Sequence, residues 1–215
     1  MTSQILLNGI LKGGLYGLMA MGMSLIWGVM DIINIAHGAF IMIGSYITFY
    51  LFNAIGIDPF LSLLFTIPIL FLLGYIVQKG IINLVIRAEI FITLILAFGI
   101  EIFINNLALI IFTADVRKVK VAYGASNFSL FGLTIPTVRF IAFLLVIMIT
   151  IILFIIMTRT RLGRAIRATS QDIEGARLVG IRVSRIYALT FGIGTALAGA
   201  AGTLWAIIFP VTPIM

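Results

Sequence analysis

The sequence has no cysteine, one histidine and only seven acidic residues among 215. The missing cysteines exclude a disulfide framework, a thiolate metal site and a cysteine nucleophile. The single histidine, His37, has no second ligand at a helical spacing and is not by itself a metal site. Charge is scarce, at 10% of residues against about 25% in an ordinary soluble domain. Too few polar side chains remain to cover a water-exposed surface, which excludes a soluble globular enzyme. No G-x-x-x-x-G-K-[ST] occurs, so the chain carries no phosphate-cradling loop of that kind, and no motif joins a nucleophile to a base. With no repeat, low-complexity tract or linker, residues 1–215 read as a single membrane domain.

Apolar residues make up 62% of the chain and concentrate in six runs: Ile5 to Met30, Gly38 to Ile55, Pro59 to Val77, Ile90 to Thr113, Thr137 to Thr158 and Ile186 to Phe209. Each approaches the roughly 20 residues that a bilayer-crossing helix needs. The expected fold is all-α, a polytopic bundle of about six transmembrane helices. The first run is not a cleavable signal peptide, because its only cation, Lys12, lies inside it and the run outlasts a secretory apolar core. Asp58 before Pro59, and Pro136 before the fifth run, are helix-start signals, whereas Pro68 predicts a kink in the third.

A net charge of +7 could indicate nucleic acid, but the cations lie between long apolar runs and are better explained by orientation in a bilayer, with no nucleic-acid partner. If the loop after the fifth run is cytoplasmic, alternation puts nine cations inside: Arg159, Arg161, Arg164, Arg167, Arg177, Arg182, Arg185, Lys79 and Arg87. Four, Arg117, Lys118, Lys120 and Arg139, then lie outside. The positive-inside rule favours this arrangement, with an external N-terminus. The external loop Ala114 to Pro136 alternates apolar and polar residues through Val116, Arg117, Val119, Lys120 and Val121, which predicts a short strand or interfacial segment.

In lipid, helices associate through small residues and interhelical hydrogen bonds. Two candidate packing ridges at four-residue spacing are Gly9, Gly13 and Gly17 in the first run, and Gly194, Ala198 and Gly202 in the sixth, the latter beside Gly192, Ala196 and Ala200. Such ridges serve static packing, the commoner use of this spacing in lipid-embedded helices, or a surface that slides during a transport cycle.

Polar residues mark two places inside the apolar pattern. Asp31, Asn34, His37 and Gly38 interrupt the first two runs. That break is either a plain cytoplasmic turn or an unwound segment at membrane depth, of the kind that forms transporter substrate sites. Glu101 lies mid-run, with Asn105 on the same helical face and Asn106 beside it. These residues either line a path or fix helix packing through interhelical hydrogen bonds.

The loop RTRLGRAIRATSQDIEGARLVGIRVSR, residues 159–185, is the most structured polar stretch. Thr169 followed by Asp172 has the capping-box spacing and predicts a short helix starting there. Ile173, Ala176 and Val179 fall on one side, Asp172 and Glu174 near the positive N-terminal end, Arg177 toward the other end, and Gly180 at the stop. A helix this short is marginal alone and calls for a docking partner, lipid headgroups or another protein. The small centre Gly175 and Ala176 suits a protein groove better.

The blocks GVMDIINIAHGAF, GRAIRATSQDIEGARLVGI and FGIGTALAGAAGTLWA, with VTP closing the order, resemble the LivH-type permease subunits of ATP-driven branched-chain amino acid importers (ABC transporters) of bacteria and archaea. The resemblance covers essentially all 215 residues. It implies a multi-pass inner-membrane permease, not an enzyme, without cofactor of its own. ATP would be bound by two separate cassette subunits, with a second permease subunit, identical or different, and an external solute-binding protein completing the assembly. It also implies that Asn34, His37 and Gly38 line or support the substrate path, and IFINN at 102–106, with Asn105 and Asn106, is similar to the family's pattern there; Glu101 is a path candidate by its place in the fourth run and not by the resemblance. Asp172, Glu174, Gly175, Ala176, Leu178 and Gly180 would form the ATPase-coupling segment. Leu, Ile and Val are the implied solutes; urea or short amides, and an ion-coupled carrier acting alone, are the alternatives. Members of the family continue past the position of Pro213 with further membrane segments, so a shortened or partial chain is expected.

Overall fold

The computed structural model describes residues 2–86, 88–130 and 133–213; Arg87, one of the expected inner cations, lies outside the described residues. Among the described residues six helices are long and apolar enough to cross a membrane. They are α1 (Thr2–Met30), α2 (His37–Ile55), α3 (Leu63–Val85), α4 (Ile90–Phe112), α5 (Thr137–Arg159) and α8 (Val183–Ile208). Between the last two lie α6 (Arg161–Gln171) and α7 (Ile173–Leu178). The third helix is displaced from its expected run. It starts four residues later, because Asp58 caps a turn by accepting from the Phe60 amide at 2.9 Å, and it extends beyond Val77 through a π-helical turn, Gln78–Ile82. Gln78, expected at the start of a polar loop, is therefore inside a helix and fully buried. The helix runs on through Pro68, which removes one amide donor from its ladder.

Helix α8 is the centre of the bundle, buried on nearly all sides by α1, α2 and α3. Its small residues explain why. A Cβ on Gly202 would fall onto the Ile41 carbonyl oxygen, one on Gly44 would lie 2.6 Å from the Gly199 carbonyl, and one on Gly194 would meet Ile26. Backbones therefore touch where a side chain would separate them. The expected ridge Gly194, Ala198 and Gly202 lies in this buried contact. The ridge Gly9, Gly13 and Gly17 does not: it is exposed, with nothing within 4 Å of where a Cβ would be, and α1 reaches its neighbours through Gly14 against Phe143 and Gly22 against Gly194.

Buried hydroxyls tie the same helices together. Ser45 Oγ donates to the Gly202 carbonyl at 2.8 Å, Thr195 Oγ1 to the Leu70 carbonyl at 2.9 Å, and the Thr203 hydroxyl lies 3.0 Å from Thr48 Oγ1 and 2.8 Å from Thr66 Oγ1. Thr203 thus joins α2 to α3 across α8. Interhelical hydrogen bonds in lipid contribute about 0.6–2 kcal/mol, and Thr48 and Thr66 keep carbonyl acceptors in their own helices, at Gly44 and Ser62. Replacing Thr203 by the isosteric valine should cost about 1 kcal/mol, read as a small fall in unfolding temperature in detergent.

At one end of the bundle an antiparallel hairpin pairs β1 (Asn127–Leu130) with β2 (Leu133–Pro136), Asn127 opposite Pro136. The side chain of Gln4 clasps the Thr134 backbone from both sides, at 2.7 and 3.0 Å, and so ties the start of α1 to the hairpin. The strands fall later than the alternating stretch Val116 to Val121. That stretch makes a single two-bond bridge, Arg117 to Val211, because its partner is the chain leaving α8 and not a neighbouring strand. Tyr123 donates to Asp58 Oδ2 at 2.7 Å, and burial, then this bond, hold its hydroxyl well above the usual tyrosine range. The opposite end carries the arginines of α6 and α7, with Ser184 Oγ donating to Asn83 Oδ1 at 3.1 Å.

Candidate functional site

The break between α1 and α2 does not form a turn at the helix ends. Asp31 takes a left-handed conformation, φ 53°, one that aspartate tolerates better than most residues, and so redirects the chain as α1 stops. The next residues run back into the bundle, with Ile32, Asn34 and Ala36 buried. The His37 Nε2 lies 3.0 Å from the carbonyl oxygen of Met19, and its ring lies against Gly22. At about 1.5 Å per residue, Met19 is some 16 Å along α1 from Met30. Helix α2 therefore begins near mid-membrane, and non-helical backbone at that depth is tolerated only where protein or a cavity satisfies it. Of the two readings of the break, the geometry is that of the unwound segment.

A cavity of about 400 Å³ reaches this point from the hairpin end, lined by Tyr16, Met19, Gly38, Ile41, Trp205 and Pro210 among others. Its lining is mostly apolar, with the edge of Tyr16 against Trp205 and the indole donating to the Pro210 carbonyl at 3.3 Å. Gly38, at the start of α2, lines it beside Met19 of α1. At the arginine-rich end a second cavity, about 460 Å³, is lined by Asn83, Arg177, Arg182, Ser184 and Tyr187 among others.

Asn34 and His37 are buried between the levels of the two cavities, and among the described residues Asn34 Nδ2 and His37 Nδ1 have no hydrogen-bond partner. The same holds for the buried hydroxyl of Thr190 and for both amide atoms of Gln78. An unmade bond on a buried polar group costs about 1–3 kcal/mol, so such clusters are rarely left without a purpose. Sequence reasoning missed Gln78 and Thr190; a glutamine next to Lys79 reads as a helix end, and a lone threonine in an apolar run carries no pattern. It also missed Tyr16 and Trp205, single aromatics inside apolar runs that no polar pattern marks.

The α4 candidates are placed apart from this zone. Glu101 and Asn105 are half-buried on the stripe that includes Thr93, Ala97 and Ala108, and Asn106 is exposed, donating to the Ile102 carbonyl of its own helix at 2.8 Å. Among the described residues no hydrogen bond or ion pair joins them to Asn34 or His37. Nor do three His, Asp or Glu side chains converge as a metal site there.

The loop helix starts three residues later than its capping-box spacing predicts. Thr169 is buried inside α6, its hydroxyl returned to the Ala165 carbonyl at 2.8 Å, and α6 is itself capped by Thr160, which accepts from Gly163 N at 3.0 Å. Asp172 caps α7, accepting from Glu174 N at 3.0 Å, and its carboxylate lies against Gly175. Gly180 ends it in a left-handed conformation, φ 83°. Its amide donates to the Arg177 carbonyl, and the Ile181 amide to that of Ala176, both at 3.0 Å, which closes the helix in a Schellman motif. Ala176 faces the bundle at 3% exposure, whereas Leu178 and Val179 stand out at 88% and 77%. The expected stripe Ile173, Ala176 and Val179 is therefore split: Ala176 is buried, whereas Val179, together with Leu178, forms the exposed apolar tip.

A family model described as "Branched-chain amino acid transport system / permease component" matches residues 5–215. The chain belongs to this family. It is 32% identical over 213 residues to the high-affinity branched-chain amino acid transport system permease protein LivH of Salmonella typhimurium, covering 94% of this chain and 69% of that one. The permease protein BraD of Pseudomonas aeruginosa is 32% identical over 215 residues with the same coverage. A probable LivH of Methanocaldococcus jannaschii is 29% identical over 213 residues, covering 93% of this chain and 65% of its own. No solved structure matches. The permease family and the six apolar helices make this a multi-pass membrane transport subunit.

Proposed function

We propose that this subunit forms one half of the path by which an ATP-driven importer brings leucine, isoleucine and valine across a bacterial or archaeal inner membrane. The observation that carries the proposal is the apolar cavity ending at the unwound start of α2, where Gly38 and His37 meet α1. Its apolar wall suits a branched aliphatic side chain, and the break below it supplies the polar groups that the solute's charged ends need. The hairpin end faces outward, toward a solute-binding protein, and the arginine-rich end faces the cytoplasm, as the cation distribution favours. There α7, with Asp172, Glu174, Gly175, Ala176, Leu178 and Gly180, docks on one of two ATPase subunits, which bind and hydrolyse the ATP. A second permease subunit supplies the other half of the path.

The test is reconstitution of the assembled transporter in proteoliposomes, with its ATPases and binding protein. Leucine should accumulate only with ATP inside the ATPase compartment, and urea and short amides should not. Accumulation by the permease without any ATPase would make it a solitary carrier; preferential uptake of urea or an amide would replace the substrate.

A further inference from the structure

We infer that Gln78 and Thr190, together with Asn34, form a polar station between the two cavities that receives the ammonium and carboxylate of the transported solute. The inference rests on the importer reading above. Helix α8 serves as the depth scale. Gly22 and the His37 ring meet at Gly194, Trp205 lies toward the outer cavity, and Tyr187 lines the inner one. Thr190 falls between Gly194 and Tyr187. Helix α3 runs antiparallel to α8, with Thr66 at Thr203 and Gly74 at Thr195, so Gln78, one turn further, falls at the level of Phe191 and Thr190. Asn34 lies on the re-entrant segment just before His37. Ile32 and Ala36 on either side of Asn34, Ile82 one turn after Gln78 and Phe191 beside Thr190 belong to one buried cluster, and Val77, beside Gln78, packs against it, so all three polar residues border the same core.

The chemistry of the set defines the ligand. Gln78 offers a donor and an acceptor, Asn34 a donor and Thr190 a hydroxyl, and these atoms have no hydrogen-bond partner among the described residues although all three residues are at least 98% buried. None carries a formal charge. A neutral set with both donors and acceptors suits a molecule that is charged at two ends and neutral overall; a lone cation or anion would leave half of it unpaired. Gln78 also opens a π-helical turn, a local distortion frequent at functional sites and able to shift register as a path opens.

The experiment uses the assembled transporter with Gln78→Met, which keeps the length of the side chain, and separately Thr190→Val, which keeps its shape. Uptake of radiolabelled leucine at saturating binding protein should fall about tenfold in each, the effect of one lost hydrogen bond to a charged group. The unfolding temperature should stay level or rise, because a buried polar group without a protein partner has been replaced by an apolar one. Uptake within twofold of wild type in both variants overturns the station. So does a fall in uptake that tracks a lower unfolding temperature, which would make the groups structural. If the unsubstituted transporter itself fails to take up leucine, or needs no ATPase, the importer reading has failed instead, and the two failures are told apart in the same preparation.

Discussion

Replacing Leu178 and Val179 together by aspartate should reduce ATP-driven uptake by more than about 100-fold while leaving the permease inserted and its unfolding temperature unchanged. Both side chains point away from the bundle, at 88% and 77% exposure, so nothing in the chain itself depends on them. A docked partner would bury them. Full burial of one such side chain is worth about 1.5–3 kcal/mol, two exceed the 2.8 kcal/mol that about 100-fold requires, and an unpaired carboxylate forced into the groove weakens docking further. Ala176 is the poorer site for this test: at 3% exposure it packs against the chain's own helices, and a bulky residue there would displace α7 before any partner was met. The measurements are uptake, and co-purification of the ATPase with the variant permease. Uptake within twofold of wild type would show that α7 is not the coupling element.

The six spans, their order and the presence of a loop helix were legible because lipid imposes a simple condition: about 20 apolar residues per crossing and hydrogen bonds closed within each helix. What the condition does not fix is where a helix ends when polar residues continue inward. Gln78 and Lys79 looked like the start of the loop after the third run, yet the π-helical turn carries the helix to Val85 and buries the glutamine. The same limit applied to the break at Asp31. Composition was compatible with a turn or a re-entrant segment; the deciding facts are the left-handed backbone at Asp31 and the reach of His37 to Met19, both tertiary. In the loop, Thr169 had the spacing of a cap, but its hydroxyl is used within α6, and the Asp172 carboxylate next in line holds the α7 amide. Small-residue spacing was equally ambiguous. Gly9, Gly13 and Gly17 have the same four-residue period as Gly194, Ala198 and Gly202, and only the latter ridge meets another helix of this chain. A period identifies a smooth face; it does not say what lies on it.

That difference between the two ridges gives the largest expected effect on folding. Gly202→Val should lower stability by about 3 kcal/mol or more, against a change within about 1 kcal/mol for Gly17→Val. A Cβ at residue 202 would fall onto the Ile41 carbonyl oxygen and lie 2.9 Å from the Ser45 amide nitrogen, both backbone atoms of α2 that cannot rotate away. Relief requires α2 to move off α8. That movement breaks the Ser45 bond to the Gly202 carbonyl, strains the Thr48 to Thr203 contact one turn on, and separates Gly44 from Gly199, where the two backbones also touch. The losses are coupled through one rigid-body shift, so they add to the overlap instead of substituting for it. Thermal unfolding in detergent, with the monodisperse fraction after extraction, checks the pair. Equal unfolding temperatures for the two variants would mean that the α2–α8 contact does not hold the bundle together, and that contact could not then be what positions Gly38 in the cavity wall.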